Sequence, residues 1–145
     1  MARLEDLIAG RSALTNEQIH RLHELTADWQ MLADLSFADL VLWVPLRKDS
    51  KSWPTGHIAV AHIRPTTAAT VFTQDIIGDE ISWGARARID AALANGEIIR
   101  DSEPELVGEL MIKEETIPVA LKGQIIATIS RHRNSELMRS PVDSN

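Results

Sequence analysis

Cysteine is absent from the chain, and that single absence removes disulfides, thiolate zinc sites and cysteine nucleophiles from consideration. Long apolar runs are missing too: nothing approaches the roughly 20 residues that span a bilayer, and Glu5 and Asp6 fall where a signal peptide carries its basic and apolar regions. The expectation is a cytoplasmic protein without a membrane segment. G-x-S-x-G, a Walker-type phosphate loop and the dinucleotide glycine fingerprint are also lacking. No catalytic residue is assigned, and no enzymatic activity is expected within these residues.

What is present fits one compact domain of 145 residues, 44% hydrophobic and 25% charged. A net charge of −6 gives no electrostatic case for a polyanion, so nucleic acid is not an expected partner. The four tryptophans could stack on bases, but without a basic groove Trp29 and Trp43, both in apolar patterns, read as core.

The chain turns on Trp29 to Arg47. Before it, Arg3 to Ala9 makes a short helix stopped by Gly10, and a second helix starts at Thr15 or Asn16. Ile19, Leu22, Leu25, Trp29, Leu32 and Leu35 recur at steps of three and four, predicting one two-sided helix of about five turns. After Phe37 the pattern changes to the continuous run Leu40 to Leu46, a central strand covered on both faces. His57 to Arg64 is its hairpin partner.

Ala69 to Phe72 suggests a short strand, Trp83 to Ala94 a helix ended by Asn95-Gly96, and Ile98 to Val107 a loop with a brief extended piece. Glu109 to Leu121 and Gln124 to His132 form a second hairpin through Lys122-Gly123. Helices set apart from strand pairs predict an α+β domain with a central antiparallel sheet, the N-terminal helix on one face and a helix-containing variable section on the other. The domain is expected over residues 1–133, with residues 134–145 as linker or chain end.

Metal binding is not expected. His20 and His23 lie three apart on a helix but lack a third ligand, and His57 and His62, five apart on a strand, are expected on opposite faces. Strict alternation puts His57, Ala59, Ala61 and Ile63 on one face, under the helix, and Ile58, Val60, His62 and Arg64 on the other. Ile126, Thr128, Ser130 and His132 would lie beside His62 and Arg64. Arg64, Arg86, Arg88 and Arg100 read first as surface charges offsetting Glu97, Asp101, Glu103 and Glu105. The sharper reading has them rim a concave site walled by Trp83 that takes a small anionic or planar ligand. The candidate ligand residues are thus His62, Arg64, Trp83, Arg86, Thr128 and Ser130. Glu114 and Glu115 are adjacent on a strand, so their side chains diverge and cannot act as a catalytic pair.

LHELTADWQ at Leu22 to Gln30 and LADLSFADLVLWV at Leu32 to Val44 resemble the N-terminal sensor domain of actinobacterial cytosolic histidine kinases of the PdtaS type. The similarity continues in HIRPTTAATVF, His62 to Phe72, and EETIPVALKGQIIATISRHRN, Glu114 to Asn134, and is weak from Thr73 to Lys113. The resemblance implies a GAF-like domain followed by PAS and kinase domains of the same polypeptide, in a two-component phosphorelay. The function it implies is regulation of autophosphorylation by that downstream core. The long amphipathic helix would be the output element and could pair with its counterpart in a homodimer, although the same stripe also serves to cover the sheet. The alternative is a ligand-free dimerisation module whose cavity is filled by its own side chains. Neither a phosphoacceptor histidine nor any ligand residue transfers from the family, and no cofactor is implied.

Overall fold

The computed structural model of the chain describes residues 3–67, 70–72, 74–100, 105–107 and 110–134, without the side chains of 105–107, 110 and 134. The proposed linker at 134–145 lies almost wholly outside these residues. Three helices lead in: α1 (Leu4–Ile8), α2 (Asn16–Thr26) and α3 (Trp29–Ser36). Strands β1 (Ala38–Leu46) and β2 (Gly56–Ile63) follow, then β3 (Glu80–Ser82), α4 (Ala87–Asn95), β4 (Ile99–Arg100), β5 (Glu105–Val107), β6 (Leu110–Leu121) and β7 (Gln124–Asn134). They make one antiparallel sheet ordered β3-β2-β1-β7-β6-β4, with β5 also paired to β6.

Helices α1 to α3 cover one face. Leu4, Ile8, Leu22, Trp29 and Ala33 pack there with Leu40, Leu42, Val44, Ile58 and Val60. Thr15 caps α2 by accepting from the Gln18 amide at 3.2 Å, and Gln18 returns the bond to the Thr15 amide at 2.9 Å. The single five-turn helix is not observed. The chain breaks at Ala27 and Asp28, and the break resets the helical phase. Trp29 and Ala33 therefore face the core while Leu32 and Leu35, expected on the buried stripe, face outward.

Helix α4 lies on the opposite face, where Val41, Trp43, Ala59 and Ile89 form a second core. It begins at Ala87, not at Trp83, because residues 83–85 form a turn. Its end at Gly96, with φ of 68°, is the left-handed stop that glycine allows. No strand forms at residues 70–72; the Val71 amide bonds the Asp39 side chain at 2.9 Å instead of a neighbouring strand. Ala69 lies outside the described residues.

Register corrects the face assignment. Leu42 pairs with Ala61 and Trp43 with Ala59, so Val60 is an extra residue in β2. This bulge flips the alternation. His57 and Ala59 fall on the α4 face together with His62, while Ile58, Val60, Ala61 and Ile63 fall on the helix-covered face. The two histidines expected on opposite faces thus share one. A second irregularity, where Val119 pairs with Ala127 but Ala120 with Ile125, leaves Ile126 as the extra residue of β7. Ile126 accordingly joins the core under the N-terminal helices rather than the row of Thr128 and Ser130.

Candidate functional site

The α4 face carries an unusual density of polar groups for a sheet interior. In β1 the apolar run is interrupted by Asp39, which is fully buried. Its carboxyl group is bonded by His62 Nε2 at 2.7 Å, the Thr70 hydroxyl at 2.5 Å and the Val71 amide at 2.9 Å. Three partners satisfy a group that would otherwise be costly to desolvate. Their effect is positional: Thr70 to Phe72 is pinned against the sheet, and the Phe72 ring makes T-shaped contacts with His62 and His132, with centroids 5.0 and 4.8 Å away.

A second buried aspartate fixes the opposite wall. Asp90 of α4 takes His57 Nε2 at 2.8 Å on one oxygen and the Gly84 amide at 2.8 Å on the other. The Trp83 ring stacks on His57 at 5.4 Å and meets Trp53 edge-on at 5.0 Å. Burial pushes the His57 imidazole below the ordinary histidine range, against the opposing pull of Asp90. Its Nδ1 is buried without a partner among the described residues. These bonds clamp the start of α4 to β2, and so hold Arg86 to Arg88 in place.

Between the two walls lies a cavity of about 610 Å³ lined by Val71, Phe72, Ala85, Arg86, Ala87, Arg88, Ile112, Glu114 and His132. An Arg86 guanidinium nitrogen donates to both oxygens of the buried Glu114, at 2.7 and 2.6 Å, and Arg88 comes within 3.6 Å of the same carboxylate. His132 lies 3.9 Å from Glu114. Burial first, then the Arg86 charge, lowers the His132 pKa to about 3, so the ring is neutral at physiological pH. Ser130 sits beneath it, bonding His132 Nε2 at 2.7 Å and accepting from Trp43 Nε1 at 2.8 Å.

Of the six residues picked out from the sequence, Arg86 lines the cavity. His62 and Ser130 stand one layer behind, touching Phe72 and His132. Thr128 is buried opposite Trp43, its hydroxyl without a partner among the described residues. Trp83 lies at the His57 end of β2 and does not wall the cavity; Arg64 points away, donating to the Gln74 carbonyl at 3.2 Å. Arg100 is on the reverse of the sheet, 3.7 Å from Glu115, which Arg131 and Arg133 also bond. Asp39, Asp90, Phe72 and Glu114 were not singled out as ligand or wall residues. Asp39 was detectable as a carboxylate directly preceding the central-strand run Leu40 to Leu46, where an unpaired charge is rarely tolerated once the strand extends back over it. His20 and His23 approach different carboxylates, Glu24 and Glu5. Among the described residues no cluster of three or more histidine or acidic side chains is arranged to hold a metal, and no helix is long and apolar enough to cross a membrane.

A sheet with helices on one face and a polar-lined cavity under a loop-and-helix cover on the other is the architecture of a GAF-type sensory domain. A solved structure described as the sensor region of a sensor histidine kinase matches it with a TM-score of 0.71 at 29% identity, over 97% of this chain and 45% of that one. The family model for the GAF domain of histidine kinase PdtaS matches residues 4–144, and the chain belongs to this family. The sensor histidine kinase PdtaS of Mycolicibacterium smegmatis is 34% identical over 133 residues, and that of Mycobacterium tuberculosis 31% over 139. These alignments cover 90% and 92% of the chain but 26% of each kinase, so the chain spans about a quarter of the length of the kinases it matches.

Proposed function

We propose that the domain is the sensory input of a cytoplasmic two-component histidine kinase, controlling autophosphorylation by downstream PAS and kinase domains of the same polypeptide. The signal is a small planar or anionic molecule bound in the cavity between Phe72, Arg86 and His132. The observation that carries this reading is the cavity itself: about 610 Å³ of space on the sheet face opposite the helices, where a ligand-free module would be packed solid. A ligand acts by binding two states of the domain unequally. The test is autophosphorylation of a kinase carrying this domain at its N-terminus, with and without Arg86→Ala. A changed response to cell extract fractions supports the reading. Identical output from both proteins contradicts it.

A second reading, homodimerisation, draws support from α3. Met31, Leu32 and Leu35 of α3 and its C-cap Phe37 are 62%, 46%, 71% and 46% exposed, apolar side chains outward on a helix whose inner side already packs on the sheet. The sequence pattern left one stripe to serve either the core or a partner; the break at Asp28 gives α3 an apolar side for each. Light scattering of the isolated domain distinguishes dimer from monomer.

A further inference from the structure

His132 is buried among lining residues, has its Nε2 bonded to Ser130, and has no partner at Nδ1 among the described residues. The tautomer follows from hydrogen-bond accounting. Trp43 Nε1–H can only donate, so it occupies a lone pair of Ser130 Oγ. Ser130 is fully buried, and among the described residues its hydroxyl proton has one acceptor, His132 Nε2 at 2.7 Å. Were Nε2 protonated instead, the serine proton would be orphaned in the interior, at a cost of about 1–3 kcal/mol. The relay Trp43 to Ser130 to His132 therefore leaves the imidazole proton on Nδ1.

Resting on the reading of the cavity as a ligand site, we infer that His132 is its specificity-determining residue: the Nδ1–H donates to a neutral acceptor, a carbonyl oxygen or ring nitrogen, on a planar ligand set against Phe72. Neutrality of the acceptor follows from Glu114. Its carboxylate engages the Arg86 guanidinium through both oxygens, so the donor left for this acceptor is the neutral His132 ring, which holds no charge to favour an anion. Any ligand charge belongs at the Arg86 rim, where the guanidinium already spans both Glu114 oxygens. Apolar Val71, Phe72 and Ile112 supply the faces for the ring.

Long-range proton–nitrogen NMR correlations of the labelled domain at neutral pH report the tautomer directly, and titration with benzamide and benzoate reports the acceptor. The expected result is a protonated Nδ1, a saturable shift of that nitrogen with benzamide, and weaker perturbation by benzoate. His132→Leu weakens benzamide about tenfold, one hydrogen bond's worth. His132→Asn, whose amide nitrogen can stand where Nδ1 stands, retains part of the binding. Ser130→Ala frees the tautomer while leaving the ring in place. A protonated Nε2, or tighter binding of benzoate than benzamide, overturns the assignment. So does a titration that moves Arg86 and Phe72 but not His132, although that outcome leaves the cavity reading standing. Failure of both probes to move any lining residue overturns the ligand class. Failure of the sensory reading itself shows separately, as kinase output insensitive to Arg86→Ala.

Discussion

Asp39 and His62 stand on a cross-strand diagonal of β1 and β2, with a carboxyl oxygen 2.7 Å from Nε2, both side chains almost entirely buried. The contact exists only because the Val60 bulge turns His62 toward the α4 face. Through the same carboxyl group, the Thr70 to Phe72 wall is attached to the sheet.

Asp39→Ala strands His62, Thr70 and the Val71 amide together. Loss of one member of a buried polar network costs about 3 kcal/mol, read as a lower urea midpoint. Hydrogen exchange should rise first at Val71 and Phe72. A loss under about 1 kcal/mol would show the network to be dispensable.

Stability has a histidine-specific pH dependence. His57 and His132 both have folded-state pKa values depressed by burial, the latter to about 3 from 6.5. The unfolded chain therefore gains these protons first as pH falls, so their contribution is complete above about 6.5 and is lost below it. Each such ring steepens the fall by up to about 1.4 kcal/mol per pH unit. Between pH about 6.5 and 5 most carboxylates are still ionised, so chemical denaturation there isolates the histidines. His132→Asn should remove one ring's share of the slope; an unchanged slope refutes the assignment.

Gly56 opens β2 where β3 crosses closely: a Cβ there would lie 2.2 Å from the Ile81 carbonyl oxygen. Backbone must move to admit even alanine. Gly56→Ala should cost about 1–3 kcal/mol, as overpacking does, and release the Gly56–Ser82 pairing, visible as faster amide exchange in β3.

Much of this fold was legible in local pattern. The capping residue Thr15, the stop at Gly96 and the Lys122-Gly123 hairpin are fixed by short-range chemistry, and Trp29 and Trp43 by burial. The site was less so, because strand parity is a long-range quantity: one extra residue at Val60 and another at Ile126 reverse which side chains meet, and neither position looks unusual in sequence. Helical phase failed at Ala27 and Asp28 because neither glycine nor proline marks the break, and the capping preference of Asp28 alone is a weak signal inside an apolar periodicity that runs on through it. Edge strand β3, three residues long, has too few alternations to register.

Leu35 is 71% exposed, so Leu35→Glu should leave the unfolding free energy within about 0.5 kcal/mol of the original. Under the dimer reading the substitution instead shifts the light-scattering mass to that of a monomer. Retention of a dimer would exclude α3 as the interface.

Sensing as proposed requires that occupancy of the cavity change the output of a kinase. Ala87 lies on the cavity lining and is exposed, so Ala87→Trp can fill the space without entering the packed core. Autophosphorylation of a kinase bearing this domain is the decisive measurement. A rate several-fold removed from that of the unsubstituted protein, with an unchanged unfolding midpoint, is the predicted result; equal rates and equal responses to cell extract would contradict it.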